Sequence, residues 1–214
     1  MKKLLTFSLL TSVLLSGCAS IPEINAGFQR IDRTWQLEYQ KTEDEYRYRV
    51  IEAPLLTTYE QVKKTFLDLG MPIQKSSLKD GIIIAENAAP TPLTQEEWLQ
   101  IREIEEPRVK EIGGWMFTIN KDPSGYIVMV SASLKEIQNK TLVLLNYRLR
   151  MPKYESMGMT PSKHAPPLAV QLGSIKFWNQ LKQNLESTGI TAPRKRKLDE
   201  KYAENQHELK LDHS

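Results

Sequence analysis

The sequence predicts an α+β domain: an antiparallel sheet packed on a long C-terminal helix, with an additional helix inserted between strands. Three observations predict it. Residues 126–150 carry two adjacent runs in which apolar residues alternate with smaller or polar ones, the period of a half-buried strand. After Pro167, the residues Leu168, Leu172, Ile175, Trp178, Leu181 and Leu185 recur at helical spacing over about five turns. Between two β-rich runs lies Lys79-Asp80-Gly81, and Asp-Gly is among the strongest short-range hairpin signals.

In chain order, residues 1–17 are set apart as an export signal and residues 18–44 as a tether without sustained periodicity. A short helix over Gln29 to Tyr39, with Ile31 and Trp35 inward, is its one candidate element. The folded domain is placed at 45–189. Tyr46, Tyr48 and Val50 alternate with Arg47 and Arg49, so a strand with the apolar set inward is expected before Pro54. Thr57 and Thr58 then stand three residues before Glu60 and Gln61, the capping-box spacing. Tyr59, Val62, Phe66 and Leu69 share one face of the helix they open, and Gly70 suits its left-handed end.

Ile73 to Leu78 and Ile82 to Glu86 flank the Asp80-Gly81 turn. A proline-containing stretch, 88–92, leads to the inserted helix. Thr94 with Glu97 makes a second capping box, and Trp98, Ile101 and Ile104 mark the expected buried face. Pro107 is expected to kink or divide this helix, and Gly113-Gly114 to end it. Three strands are expected next: Trp115 to Ile119, Tyr126 to Leu134, and Thr141 to Arg150. Gln138-Asn139-Lys140 is the turn between the last two. Met151 to Pro166 reads as a long irregular loop, and Pro167 as a favoured first helical position. Residues 190–214 are dominated by charge, with Arg194 to Lys197 followed by Asp199 and Glu200. They read as a disordered or frayed tail that buries too little to order itself.

Composition narrows function mostly by exclusion. The 214 residues carry a formal charge of +3, which falls to +1 when Lys2 and Lys3 leave with the signal. That balance makes no net-charge case for nucleic acid. The single cysteine, Cys18, leaves no disulfide, catalytic thiol or thiolate metal site within the domain. No phosphate-binding glycine loop, nucleophile elbow or HExxH spacing occurs, and no metal or cofactor is expected. Of the three histidines, only His164 lies near the fold, and it reads as a solvated loop residue. Glu96, Glu97, Glu103, Glu105 and Glu106 form the densest carboxylate group, and a solvated acidic face is the expectation. An acid–base pair needs burial or proximity to separate the two pKa values. An enzyme survives as a reading if a buried carboxylate lies near His164. Trp178 is expected in the core, and Trp98 and Trp115 are candidates for a partner surface.

The N-terminus carries the most specific signal. Lys2 and Lys3 precede an apolar run from Leu4 to Leu15, and Ser16-Gly17 supply small residues before Cys18. The run of about a dozen residues is shorter than the roughly 20 needed to cross a bilayer. Leu15-Ser16-Gly17-Cys18 resembles the bacterial lipobox. That resemblance implies cleavage between Gly17 and Cys18, a diacylglycerol on the Cys18 sulfur and an acyl chain on the new amino terminus. An ordinary secreted protein with a chance cysteine at the cleavage point is the alternative. Stable anchoring takes more than one acyl chain, which a triacylated cysteine provides. Ala19, where an Asp would signal inner-membrane retention, implies the periplasmic face of the outer membrane.

The lipobox at Cys18, the strand–helix opening at Tyr46 to Leu69, the Asp80-Gly81 hairpin and the Trp178 helix together resemble the BamC-like helix-grip lipoproteins of outer-membrane assembly. The likeness covers roughly residues 45–187, with one such domain where BamC has two and no counterpart for the inserted helix. It implies a membrane-anchored, non-enzymatic module that binds another envelope protein as part of an assembly or scaffold. The alternative is a carrier holding a lipid or other apolar ligand between the sheet and the C-terminal helix. An apolar cavity of about 300 Å³ or more favours the carrier, and a packed interface favours the protein-binding module. Cys18→Ala removes the acyl acceptor and is expected to leave an uncleaved or soluble precursor. Metabolic labelling with a fatty acid checks this, and equal label on mutant and parent chains refutes the lipid anchor.

Overall fold

A computed structural model describes residues 19–190; Gly17, Cys18 and the charged tail from residue 191 lie outside the described residues. The elements run α1 (Ile21–Tyr46), β1 (Tyr48–Ile51), α2 (Leu55–Asp68), β2 (Ile73–Ser77) and β3 (Ile82–Ala88). There follow α3 (Gln95–Gly113), β4 (Ile127–Ile137), β5 (Lys140–Arg150), α4 (Pro152–Ser156) and α5 (Pro167–Ser187). The strands form one antiparallel sheet in the order β1-β5-β4-β3-β2. The α+β class and the packing of the C-terminal helix on the sheet are as the sequence predicts.

Both hairpins follow their turn chemistry. Gln138 and Asn139 take φ of +50° and +63°, the two-residue turn whose twist matches the flanking strands. Gly81 sits at φ +61°, and its carbonyl accepts the Leu134 N–H at 2.6 Å. A Cβ there would lie 2.1 Å from the Leu134 carbonyl oxygen, so no larger residue fits without moving β4.

One face of the sheet is closed by α2 and α5. Ile83, Val130, Ala132, Val143 and Leu145 meet Val62 and Phe66 of α2 and Phe177, Leu181 and Leu185 of α5. Trp178 is buried in this layer, with its Nε1 donating to the Tyr46 carbonyl at 2.8 Å. A second apolar cluster joins α1, α3, the 117–119 segment and the start of α5 through Phe28, Ile31, Trp35, Trp98, Val109 and Phe117. Helix α5 is therefore a wall shared by two cores. That explains why Leu168 and Leu172 turn to the second core, and why Ile175 of the predicted stripe is exposed.

Several expectations are corrected. The tether assigned to residues 18–44 is, from Ile21 onward, a 26-residue helix docked on α3 and α5. Its inward stripe is Ile24, Phe28, Ile31, Trp35 and Tyr39, one residue wide, so charged neighbours conceal it. The domain thus begins well before residue 45. Tyr46 closes α1 and is not in a strand, and β1 turns Arg49 and Ile51 inward in place of Tyr48 and Val50. The Arg49 guanidinium lies 5.3 Å from the Trp178 ring centre, so a cation covering the ring occupies the place expected of an apolar residue.

Helix α2 starts at Leu55 without a side-chain cap. Thr58 is consequently inside the helix and buried. Helix α3 keeps its Thr94–Glu97 capping box and runs through Pro107 as one element. Ile104 faces solvent, while Glu105 and Glu106 are buried. Trp115 to Ile119 forms no strand: it turns over after Gly114 and buries Phe117 and Ile119 beneath the second core. The loop 151–166 contains the short helix α4.

If α1 is part of the core, Trp35→Ala should cost about 3–5 kcal/mol, as large-to-small core changes do. The cost should fall toward the lower figure, because the buried Trp35 Nε1 has no hydrogen-bond partner to lose. Denaturant unfolding of the domain measures it, and a free tether predicts no change.

Candidate functional site

The loop before α5 is clasped to α1 by a single carboxylate. Asp32 Oδ1 accepts from Ser162 Oγ (2.9 Å), from the Lys163 N–H (2.7 Å), from the His164 N–H (3.2 Å), and lies 2.9 Å from His164 Nδ1. Burial pushes the Asp32 carboxyl up, but these donors from His164, Ser162 and Lys163 outweigh it and hold it below its ordinary value. The His164 ring packs on Tyr39, ring centres 5.4 Å apart, and the Tyr39 hydroxyl donates to the Ala165 carbonyl. Burial, with the charges of Glu105 and Asp32, pushes the Tyr39 phenol well above the usual range, so it remains a donor. His164 is therefore held in place and half-buried. Its expected solvated state is corrected, because a helix distant in sequence brings Asp32 to it.

A carboxylate, a histidine and a serine in contact invite comparison with a nucleophile and its base. The order of contacts differs. Ser162 donates its proton to Asp32, and the histidine meets the same carboxylate oxygen rather than the hydroxyl. The carboxylate that accepts from the serine is held by three further donors and its basicity is lowered by them, so the trio clasps the loop.

His164 also borders a cavity of about 260 Å³ where α1 and α5 part above β5. Its wall includes Leu145, Tyr147 and Val170, but the glutamines Gln36, Gln40 and Gln171 also line it. Such a lining leaves an apolar guest facing polar groups that lose water without gaining partners. The space is also smaller than the roughly 300–1,000 Å³ usual for ligand pockets.

The carboxylates of α3 are structural. Glu105 Oε1 accepts the Leu168 N–H at 3.1 Å, satisfying an orphan donor in the first turn of α5. Burial raises its pKa, against the lowering effect of that bond. Glu106 pairs with Arg102 and with Lys110, the latter at 2.7 Å. Glu97 pairs with Lys176 of α5 at 2.5 Å. The expected solvated acidic face holds for Glu96 and Glu103 and is corrected for Glu105 and Glu106, which are buried.

Of the two tryptophans expected at a partner surface, Trp98 is corrected. It is buried in the second core, with Nε1 donating to the Asn120 carbonyl at 2.8 Å. Trp115 is 80% exposed.

A further surface went unread in the sequence. Opposite the helices, the sheet presents Tyr48, Val50, Ile82, Ile84, Met129, Leu142 and Leu144, each half-buried. The register puts Val50 beside Leu142, Tyr48 beside Leu144, and Ser133 between Leu144 and Ile82. Tyr48, Val50, Leu142 and Leu144 thus form one apolar group across β1 and β5, and Ser131 and Ser133 of β4 separate it from Ile82 and Ile84 of β3; Lys135, Asn146 and Arg148 lie on the same face. Among the described residues no helix covers it.

Among these residues no three His, Cys, Asp or Glu side chains gather as metal ligands, and no helix is long and apolar enough to cross a membrane. No family model matches the chain, and no curated protein matches it in sequence.

Asp32→Ala should loosen the 160–166 loop and cost about 1–3 kcal/mol, the usual penalty for donors that lose a charged acceptor. Because the folded pKa of Asp32 is depressed, its contribution is complete above the unfolded value of about 3.9 and fades as pH falls through the folded one. Unfolding curves of both proteins from pH 7 to pH 2 should therefore differ most at the neutral end and converge in acid.

Proposed function

We propose that the chain is an envelope lipoprotein, anchored by lipid on Cys18 at the periplasmic face of the outer membrane, whose domain is a non-enzymatic binding module for another envelope protein. The outer face of the sheet carries this reading. Four large apolar residues in adjacent register on β1 and β5, with Ile82 and Ile84 beyond the serines of β4 and Lys135 and Arg148 around them, have the composition of an interface core and rim. A contiguous exposed apolar surface is costly to leave in water and marks a site of association. The carrier alternative draws no support from the layer between sheet and α5, which is filled by Phe177, Trp178, Leu181 and Leu185. The cavity of about 260 Å³ has glutamines among its lining residues and lies at the edge of that layer.

A photo-crosslinking residue at position 144 or 84 should capture one envelope protein in intact cells. Leu144→Lys, introduced beside the crosslinker at 84, should abolish the adduct and leave thermal unfolding nearly unchanged, since the side chain is half-exposed. No adduct from either position, or adducts with lipid alone, refutes the protein-binding module.

A further inference from the structure

Four exposed apolar residues lie on α1 or on segments held against its first three turns. Ile21 is in its first turn, Trp115 and Met116 follow α3, and Met157 follows α4. The segments that bear them are pinned to the first three turns of that helix. The Phe117 ring meets the Phe28 ring edge-on at 5.1 Å and also closes on Gly27, where a Cβ would lie 2.2 Å from it. Arg30 holds the carbonyls of Ile112 and Gly113 at 3.0 and 2.8 Å. From the other loop, the Tyr154 ring packs 5.6 Å from Phe28, and the Thr160 N–H donates to Asn25 Oδ1 at 2.8 Å. Phe28 touches both Phe117 and Tyr154, so the segments that carry Trp115, Met116 and Met157 are held to the same part of α1.

The position of the anchor says what covers this patch. Cys18 lies three residues before Ile21, and a chain spans at most about 3.3–3.6 Å per residue. The start of α1 therefore stands within about 10 Å of the lipidated residue. Gly27 is about 9 Å further along the helix axis at 1.5 Å per residue. No long tether exists to lift the domain away.

We propose that Ile21, Trp115, Met116 and Met157 seat in the headgroup layer of the membrane that holds the anchor, so that the domain lies on the bilayer in one orientation. Tryptophan suits that depth, its ring being apolar with one polar N–H. Glu23 in the same turn gives no attraction to anionic lipid, so burial of the apolar side chains drives the contact. The inference rests on the Cys18 anchor of the preceding section.

The four tryptophans of the chain make the test specific, because Trp35, Trp98 and Trp178 are buried and Trp115 alone is exposed. The mature chain, its sole thiol Cys18 coupled to a maleimide phospholipid, is attached to phosphatidylcholine vesicles. Iodide quenching of tryptophan emission should drop severalfold on attachment, and brominated phosphatidylcholine should quench the same emission. Met116→Asp with Met157→Asp should restore iodide access, and Trp115→Phe should remove both signals. Unchanged iodide quenching on vesicles overturns the proposal. So does protection that appears in solution and grows with protein concentration, which assigns the patch to a second copy of the chain. Acylation of Cys18 in cells is read separately by the fatty-acid label, so failure of the anchor and failure of the patch are distinguishable.

Discussion

The narrow apolar stripe of α1 is the constraint on which the other features depend. Ile24, Phe28, Ile31, Trp35 and Tyr39 are spaced four, three, four and four residues apart, enough to bury one line of side chains against α3 and α5. Without that line α3 has little to pack on, since its own sequence is largely charged. The stripe also sets polar partners in place. Arg30 takes the last carbonyls of α3, which have no partner within their own helix, and Glu38 meets Arg108. Asp32, on the next turn, reaches the loop 160–166. Cavity, clasp and exposed tryptophan are all consequences of where this helix lies.

Helix α5 carries the opposite burden, because it must satisfy two cores at once. Phe177, Leu181 and Leu185 face the sheet, while Leu168 and Leu172 face α1 and α3. A helix buried on two sides leaves little room for water at its ends, and it begins after Pro166 with no side-chain cap of its own. Glu105 of α3 takes the place of the cap by accepting the Leu168 N–H. Along the seam with α2, Asn184 donates to Thr65 Oγ1 and Asp68 Oδ2 and accepts from Lys64. Polar groups placed in this way fix the angle between helices that apolar contact alone would leave adjustable. The buried Glu105 carboxyl thus marks a helix junction, whereas the buried Glu106 pairs with Arg102 and Lys110 of its own helix.

In the proposed function the sheet and the N-terminal anchor divide the functional surfaces between them. One sheet face is consumed by the core, and the other keeps half-buried apolar residues on β1, β5 and β3. The patch around the first turns of α1 lies beside Cys18, whereas the outer sheet face is built from strands that follow the helix. Under the proposed function the module has two tasks, contact with its membrane and contact with its partner, and their placement on separate segments would let each be altered with the other intact.

Much of this was legible in the residues themselves. The two hairpins, the α2, α3 and α5 helices, the Thr94–Glu97 capping box and the inward set of β4 and β5 follow from signals confined to a few neighbours: turn residues with positive φ, capping groups, and periods of 2 or 3.6. The α1 stripe was legible too in its spacing, but a seam one residue wide is outvoted by its polar flanks. What the sequence could not decide was which of two faces meets a distant surface. The alternation in β1 is the same whichever side is inward, and the neighbouring Trp178, contributed by a helix more than a hundred residues away, accepts Arg49 there. Trp98 and Trp115 are alike as residue types, yet one fills the second core and the other stands in solvent, because Gly114 turns the chain over between α3 and Phe117. Asp32 and His164 lie 132 residues apart, and no local pattern announces their contact. Local propensity determines elements because its causes lie within a turn or a strand; partners across the fold are settled only when those elements compete to bury their apolar sides.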